Sequence, residues 1–249
     1  MSKTLCIDWG NTLVKAAIFN EDNKMADAKQ MSESEAAATI SGMVATHEPL
    51  ACIFCTVSRN SFETEQMLRQ QLGHFMKLDA NTRLPIINAY SSPETLGPDR
   101  LAIAVGAQSI FPDKNILAIS LGTCVTYNFV QKNKAFRGGA ISPGLRMRLK
   151  SMHEYTDGLP EINPDGEVLL LGYDTATSMR SGAIYGMASE IDGMIASFAE
   201  QYPVDFNAVL TGGDAPLFAN KLKSKIFADP DLLLKGLNLT LKYNVPQLQ

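Results

Sequence analysis

The stretch Thr4-Leu5-Cys6-Ile7-Asp8-Trp9-Gly10-Asn11-Thr12-Leu13-Val14-Lys15 decides the fold, because its pattern returns at Asn115-Ile116-Leu117-Ala118-Ile119-Ser120-Leu121-Gly122-Thr123-Cys124-Val125. Leu5 falls on Leu117, Ile7 on Ile119, Asp8 on Ser120 and Gly10 on Gly122. Each copy is an apolar run, a tight turn and a second apolar run, which predicts strand, turn, strand. Gln131–Lys134 matches Glu21–Lys24 in character as the next turn. The period is too long for a solenoid. It predicts two similar α/β domains, residues 1–112 and 113–249, joined at the break Phe111-Pro112-Asp113.

Between these anchors the pattern predicts a helix over Ser32–His47, a strand over Ala51–Val57, a helix over Ser61–Leu72 and a short strand over Leu84–Asn88. Ser91–Pro98 reads as a loop, and Asp99 opens a helix to Ile110. In the second half, Arg137–Gly144 has too many small residues for a packed element and reads as a loop. Leu145–Tyr155 is a basic amphipathic helix, Gly158–Gly172 a loop, and Thr175–Gln201 a long helix. Its stripe of Ile184, Met187, Ile191, Met194, Ile195 and Phe198 belongs to a core or to a subunit interface. Ala208–Leu210 is a strand, and a helix begins over Ala215–Leu222.

The 249 residues are 45% hydrophobic and 19% charged, which excludes wholesale disorder. The net charge of −4 argues against a nucleic-acid or anionic-membrane surface. It leaves room for a nucleotide held by backbone amides and a metal ion. Cys6, Cys52, Cys55 and Cys124 all lie in apolar runs. Cys52 and Cys55, three apart on a strand, point to opposite faces, so all four read as reduced thiols in a reducing compartment. The N-terminal segment lacks an apolar signal core, and no uncharged run approaches the ~18 residues of a membrane span. The expectation is a cytoplasmic protein. G-x-x-x-x-G-K-[ST] and G-x-S-x-G are absent, and His47, His74 and His153 lack metal-ligand spacing.

Three segments carry chemistry. Asp8 ends a buried strand, and Gly10-Asn11-Thr12 then turns with N–H groups directed into one concavity, a geometry that binds phosphate. Asp8 suits magnesium, and Lys15 is placed to reach a phosphate oxygen. The plainer reading is a β-hairpin whose Asn and Gly supply only turn geometry. Next, Tyr90-Ser-Ser-Pro93-Glu94-Thr95-Leu96-Gly97-Pro98-Asp99-Arg100 places Asp99 at a helix start with Arg100 beside it. Asp99 is a helix cap beside a solvated Arg, or a general base beside an Arg that pairs with a substrate carboxylate. Third, Thr211-Gly212-Gly213-Asp214 lets a flat group, such as an adenine and its ribose, come close.

Taken in order, Asp8-x-Gly-Asn-Thr-x-x-Lys15, the Tyr90–Arg100 segment, Gly122-Thr123-x-x-Thr126, Gly138-Gly139-x-Ile141-x-Pro143-Gly144, Thr156 with Leu159-Pro160, Asp174-Thr175 and Thr211-Gly212-Gly213-Asp214 resemble the type III pantothenate kinases over essentially the whole chain. The resemblance implies an α/β fold of two duplicated actin-like (ribonuclease H-like) domains with a nucleotide cleft between them. It implies ATP-dependent phosphorylation of pantothenate in a homodimer. By position, it implies that Asp8, Trp9, Gly10, Asn11, Thr12 and Lys15 hold ATP phosphates and magnesium, and that Thr123 contacts ATP, with Gly212 and Gly213 at the adenosine. Tyr90, Gly97, Pro98, Asp99, Arg100 and Thr175 would bind pantothenate, with Asp99 as proton acceptor. The family usually has Asp-x-Gly-Thr where this chain has Ser120-Leu121-Gly122-Thr123, and commonly Asp where it has Asn128. Position 120 resembles the family's ligand for a monovalent cation, potassium or ammonium, and serine is a neutral, weak ligand for it. The two departures motivate an alternative: a catalytically impaired homologue that binds nucleotide or pantothenate as a regulator.

Overall fold

The computed structural model describes residues 2–56, 58 and 60–248. Val57, the expected end of one strand, lies outside the described residues. The elements in chain order are β1 (Thr4–Trp9), β2 (Val14–Phe19), β3 (Met25–Met31), α1 (Glu33–His47), β4 (Ala51–Thr56), α2 (Phe62–Gln71), β5 (His74–Lys77), β6 (Ile87–Asn88) and α3 (Pro98–Ile110). They continue as β7 (Asn115–Leu121), β8 (Cys124–Val130), β9 (Ala135–Pro143), α4 (Leu145–Glu154), α5 (Thr175–Gln201), β10 (Phe206–Thr211), α6 (Ala215–Ala219), β11 (Phe227–Ala228) and α7 (Leu232–Asn244). No helix among the described residues is long and apolar enough to cross a membrane.

By compactness the chain divides into two units. One is Met1–Asp113 with Asn133–Arg137 and Asp231–Gln249; the other is Lys114–Lys132 with Gly138–Pro230. A single cut at residue 112 would put α7 in the second domain, whereas this division puts it in the first.

In the first unit the strand order is β3-β2-β1-β4-β5. β1 pairs antiparallel with β2 and parallel with β4. Side chains alternate across a strand, so each central strand feeds two cores. Leu5, Ile7, Cys52 and Phe54 pack with Ile40 of α1 and Leu68 of α2. Cys6, Ile53 and Cys55 pack on the other face with Ala102 of α3 and Leu234, Leu237 and Leu241 of α7. Cys52 and Cys55 thus do point apart, and all four cysteines are free thiols.

The second sheet has the order β11-β10-β7-β8-β9-β6. Its run β9-β8-β7-β10-β11 repeats the first sheet's order strand for strand, as the internal repeat requires. β9 begins among first-unit residues, where Ala135 and Phe136 pair with Ile87 and Asn88. Leu117, Ile119 and Tyr127 pack against Ile184, Met187, Ile191 and Ile195 of α5, with Met194 and Phe198 partly buried beside them. The α5 stripe is therefore core and not a free interface.

The expected loop at Arg137–Gly144 is instead most of a strand, β9. Its small residues serve proximity: Gly139 has φ +147, and a Cβ there would lie 2.0 Å from the Tyr127 carbonyl oxygen. The same logic brings α3 onto α7, where a Cβ on Gly236 would lie 1.8 Å from the Ala102 carbonyl oxygen and one on Gly106 2.3 Å from that of Leu232. Gly236→Ala should therefore destabilise the protein by ~1–3 kcal/mol through overpacking. Gly182→Ala, at an exposed helical site with nothing within 4 Å, should be neutral or add up to ~1 kcal/mol. Urea unfolding midpoints for the two variants check this; equal midpoints would contradict the close packing of α3 on α7.

Candidate active site

Within the first unit, β1 delivers Asp8 to the mouth of a hairpin. Gly10 N–H closes the turn on the Leu13 carbonyl at 3.2 Å, and Asn11 and Thr12 are exposed at its tip. Asp8 and Lys15 are register partners on β1 and β2, so the two side chains stand on one face. Trp9 behaves differently from its neighbours. Its ring is 2% exposed and packs 5.9 Å from Phe54, with its Nε1 buried and without a hydrogen-bond partner. Only the Trp9 main chain is left to face a ligand.

α3 begins with Gly97 as its N-cap and Pro98 as its first residue, so Asp99 is the second helical residue and not the cap. Its carboxylate accepts the Arg100 N–H. It lies back over Gly97, where a Cβ would approach Asp99 Oδ1 to 2.5 Å. A side chain at 97 would push the Asp99 carboxylate out of this position. Arg100 is not solvated: it is 5% exposed, and its guanidinium lies 5.8 Å from the ring centroids of both Tyr90 and Phe136. Phe136 escapes a sequence reading because it reaches this place through the β6–β9 pairing.

Two buried carboxylates bear on one another here. Burial first, then the charge of Asp99, pushes Asp8 up to about 7, and Lys15 opposes the shift. Asp99 is also raised by burial, against the Arg100 N–H and guanidinium. The Cys55 thiol, the register partner of Asp8 on β4, is pushed up by burial and then by both carboxylates. The parallel pairing of β1 with β4 was the signal that could have found it.

The second unit gathers three turns. Gly144 N–H donates to the Thr123 carbonyl and Asp214 N–H to that of Leu121, each at 3.1 Å. A Cβ on Gly144 would lie 2.2 Å from the Gly122 carbonyl oxygen, and one on Gly212, at φ +100, 2.3 Å from that of Leu121. Thr123 and Gly213 remain exposed beside this junction. Burial raises the half-buried Asp214 carboxyl, opposed by Arg146. Thr175 is the exposed first residue of α5, after the capping Asp174. It lines a cavity of about 560 Å³ with Leu159, Gly172, Tyr173, Ser178 and Met179, which includes none of Thr123, Gly212 or Gly213.

The two departures from the family pattern separate. Asn128 is fully buried, and its Nδ2 donates to the Ala118 carbonyl at 3.2 Å and to Thr126 Oγ1 at 3.0 Å. It ties the β7–β8 hairpin together as a neutral donor. Ser120 is the register partner of Thr126 on β8 and Thr211 on β10, a row of hydroxyls across three strands. These are neutral oxygens, where the family pattern has a carboxylate at position 120.

The family model described as type III pantothenate kinase matches residues 4–197. A type III pantothenate kinase of Bacteroides fragilis is 41% identical over 247 residues, covering 96% of this chain and 98% of its own. Solved structures share the fold at lower identity. One, described as a 2-dehydro-3-deoxygalactonokinase from Sinorhizobium meliloti, is 15% identical with TM-score 0.57, covering 98% of this chain and 99% of its own. Another, the activator of 2-hydroxyisocaproyl-CoA dehydratase from Clostridium difficile with bound ADPNP, is 14% identical with TM-score 0.54, covering 98% and 96%. The chain therefore belongs to the type III pantothenate kinase family, built on the fold of sugar kinases and actin-like ATPases.

Proposed function

We propose that this chain transfers the γ-phosphoryl group of ATP to the primary hydroxyl of pantothenate, the step that opens coenzyme A synthesis, and that Asp99 takes the hydroxyl proton. The observation that carries the assignment of Asp99 is its placement: a desolvated carboxylate at the start of α3, fixed over Gly97 and next to Arg100. Desolvation raises its basicity, which favours a proton acceptor. The hydroxyl oxygen bonds to the γ-phosphorus while the bond to the β–γ bridging oxygen breaks and ADP leaves. The Gly10–Thr12 amides and Lys15 stabilise the charge on the transferring group, where most of the catalysis resides. Arg100, held by two aromatic rings, binds the substrate carboxylate. Thr123, Gly212 and Gly213 contact the nucleotide, and Thr175 with its cavity receives pantothenate.

Magnesium fits the first unit. The two carboxylates repel each other, and a hard divalent cation relieves that repulsion. Among the described residues no group of three or more His, Cys, Asp or Glu is placed to hold a metal. Asp8 would thus share magnesium with phosphates and water, and the ion would neutralise phosphate charge. The regulatory alternative is not favoured: curated relatives carrying the kinase name match nearly the whole chain, and Asn128 is a hairpin brace. Homodimerisation is assigned to the segment bearing exposed Tyr155, Leu170, Leu171 and Tyr173, since α5 is committed to the core. The place of action is the cytoplasm.

Asp99→Asn should lower pantothenate-dependent ADP release by ~10²–10⁴-fold with ATP binding retained. Turnover near that of the unaltered protein would remove Asp99 from the role. Gly97→Ala should fold but swing the Asp99 carboxylate aside, and a displacement of about 1 Å costs on the order of 10²-fold in turnover. An unchanged rate would show that the Gly97 contact does not set the base.

Asp8 links site and stability. Its folded value, about 7, lies above its ordinary 3.8, so the native protein binds a proton that the unfolded chain releases between them. Stability is therefore lost as pH rises from 3.8 to about 7. The loss is bounded by ~4 kcal/mol and reduced by the partial solvent access of the side chain. Asp8→Asn should raise the melting temperature at pH 8 in chelator, change it little at pH 4, and weaken magnesium-ATP binding. A variant no more stable than the parent at pH 8 would contradict the raised value.

A further inference from the structure

The second unit contains a polar lock that the mechanism above does not use. Glu190 lies past the middle of α5, and three donors from three other elements end on its carboxylate. Its Oε1 accepts the Tyr127 hydroxyl of β8 at 2.8 Å, and its Oε2 accepts the Ser142 hydroxyl of β9 at 3.1 Å. Oε2 also accepts the Arg148 guanidinium of α4. Arg148 in turn donates Nε to the Pro143 carbonyl at 2.8 Å and Nη2 to Ser142 Oγ at 2.9 Å. The carboxylate and guanidinium are only 29% and 22% exposed. A carboxylate in such a setting is worth more than the same pair in water, and removing one member leaves the others unsatisfied.

The lock sits where β9 turns into α4. That turn is Pro143-Gly144, and Gly144 is the residue on which Gly122 and Thr123 rest, by the 3.1 Å hydrogen bond and by a contact that no Cβ would permit. The start of α4 is therefore the backing of the Thr123 turn. Arg148 holds it from one turn along α4, and Glu190 ties Arg148 to the long helix.

We propose that Glu190 is a positioning residue for nucleotide binding: through Arg148 and Ser142 it clamps the start of α4 beneath the Gly122-Thr123 turn. This rests on the reading of Thr123 as an ATP contact. Glu190→Gln presents one acceptor oxygen to three donors and should loosen the clamp. Tyr127→Phe removes one bond on the core side and leaves the tie to α4 intact.

The experiment is equilibrium titration with magnesium-ATP without pantothenate, together with KM for both substrates and the melting temperature. Glu190→Gln should weaken ATP binding and raise the ATP KM by about tenfold, the effect of one lost charged hydrogen bond. The pantothenate KM should stay put, and Tyr127→Phe should fall well short of the tenfold effect. Arg148→Gln severs the clamp from its other side, serves if Glu190→Gln fails to fold, and should not add to it in the double variant. ATP binding by Glu190→Gln equal to that of the parent would overturn the proposal. So would a parallel rise in both KM values with a lower melting temperature, which marks general loosening. Failure of the parent to bind magnesium-ATP would overturn the underlying reading of Thr123 instead.

Discussion

Two carboxylates that repel one another, Asp8 at the end of β1 and Asp99 at the start of α3, set the terms for the rest of the first unit. Neither is placed for stability. Asp8 sits among desolvating protein, with Asp99 adding to its difficulty and Lys15 easing it only in part. A fold that brings such groups together loses stability at the pH where both are charged, a loss that sites selected for chemistry carry. The surrounding packing absorbs it. β1 is buried on both faces, α7 is laced onto β1 by the 2.6 Å hydrogen bond from the Thr4 hydroxyl to Asn238, and α3 is pressed onto α7 at two glycines.

The second unit solves a different problem with backbone alone. Its three turns approach one another at Gly122, Gly144 and Gly212, and at the last two any side chain would collide with a carbonyl. Main-chain groups are thereby left close to one exposed hydroxyl, Thr123. Such a surface carries little charge and depends on being held in register, which is why the hydrogen-bonded tie from α5 through Glu190 to α4 bears on it.

Much of this was legible in the sequence, for physical reasons. The strand-turn-strand repeat was visible because central strands are apolar on both faces, and both copies became hairpins with the same sheet order. α5 was read end to end because its stripe keeps helical spacing. What stayed hidden lacked such signals. β3 is an edge strand with little buried side chain and no apolar alternation, and β5 has only four residues. β9 hid behind glycines that serve close approach, and α7 behind Gly236 for the same reason. In the site, Asp99 and Arg100 could be named from their neighbours. The core location of the Trp9 ring, the inward-facing amide of Asn128 and the approach of Arg100 to the Tyr90 and Phe136 rings are tertiary facts. No local pattern announces them.

The most direct test is the titration of the Asp8 side-chain carboxyl carbon by NMR, in metal-free protein and again with magnesium and ATP. The expected midpoint is near 7 without metal, moving well down once the magnesium nucleotide is bound. A midpoint near 3.8 in the metal-free protein, or one that magnesium-ATP leaves where it was, would contradict it.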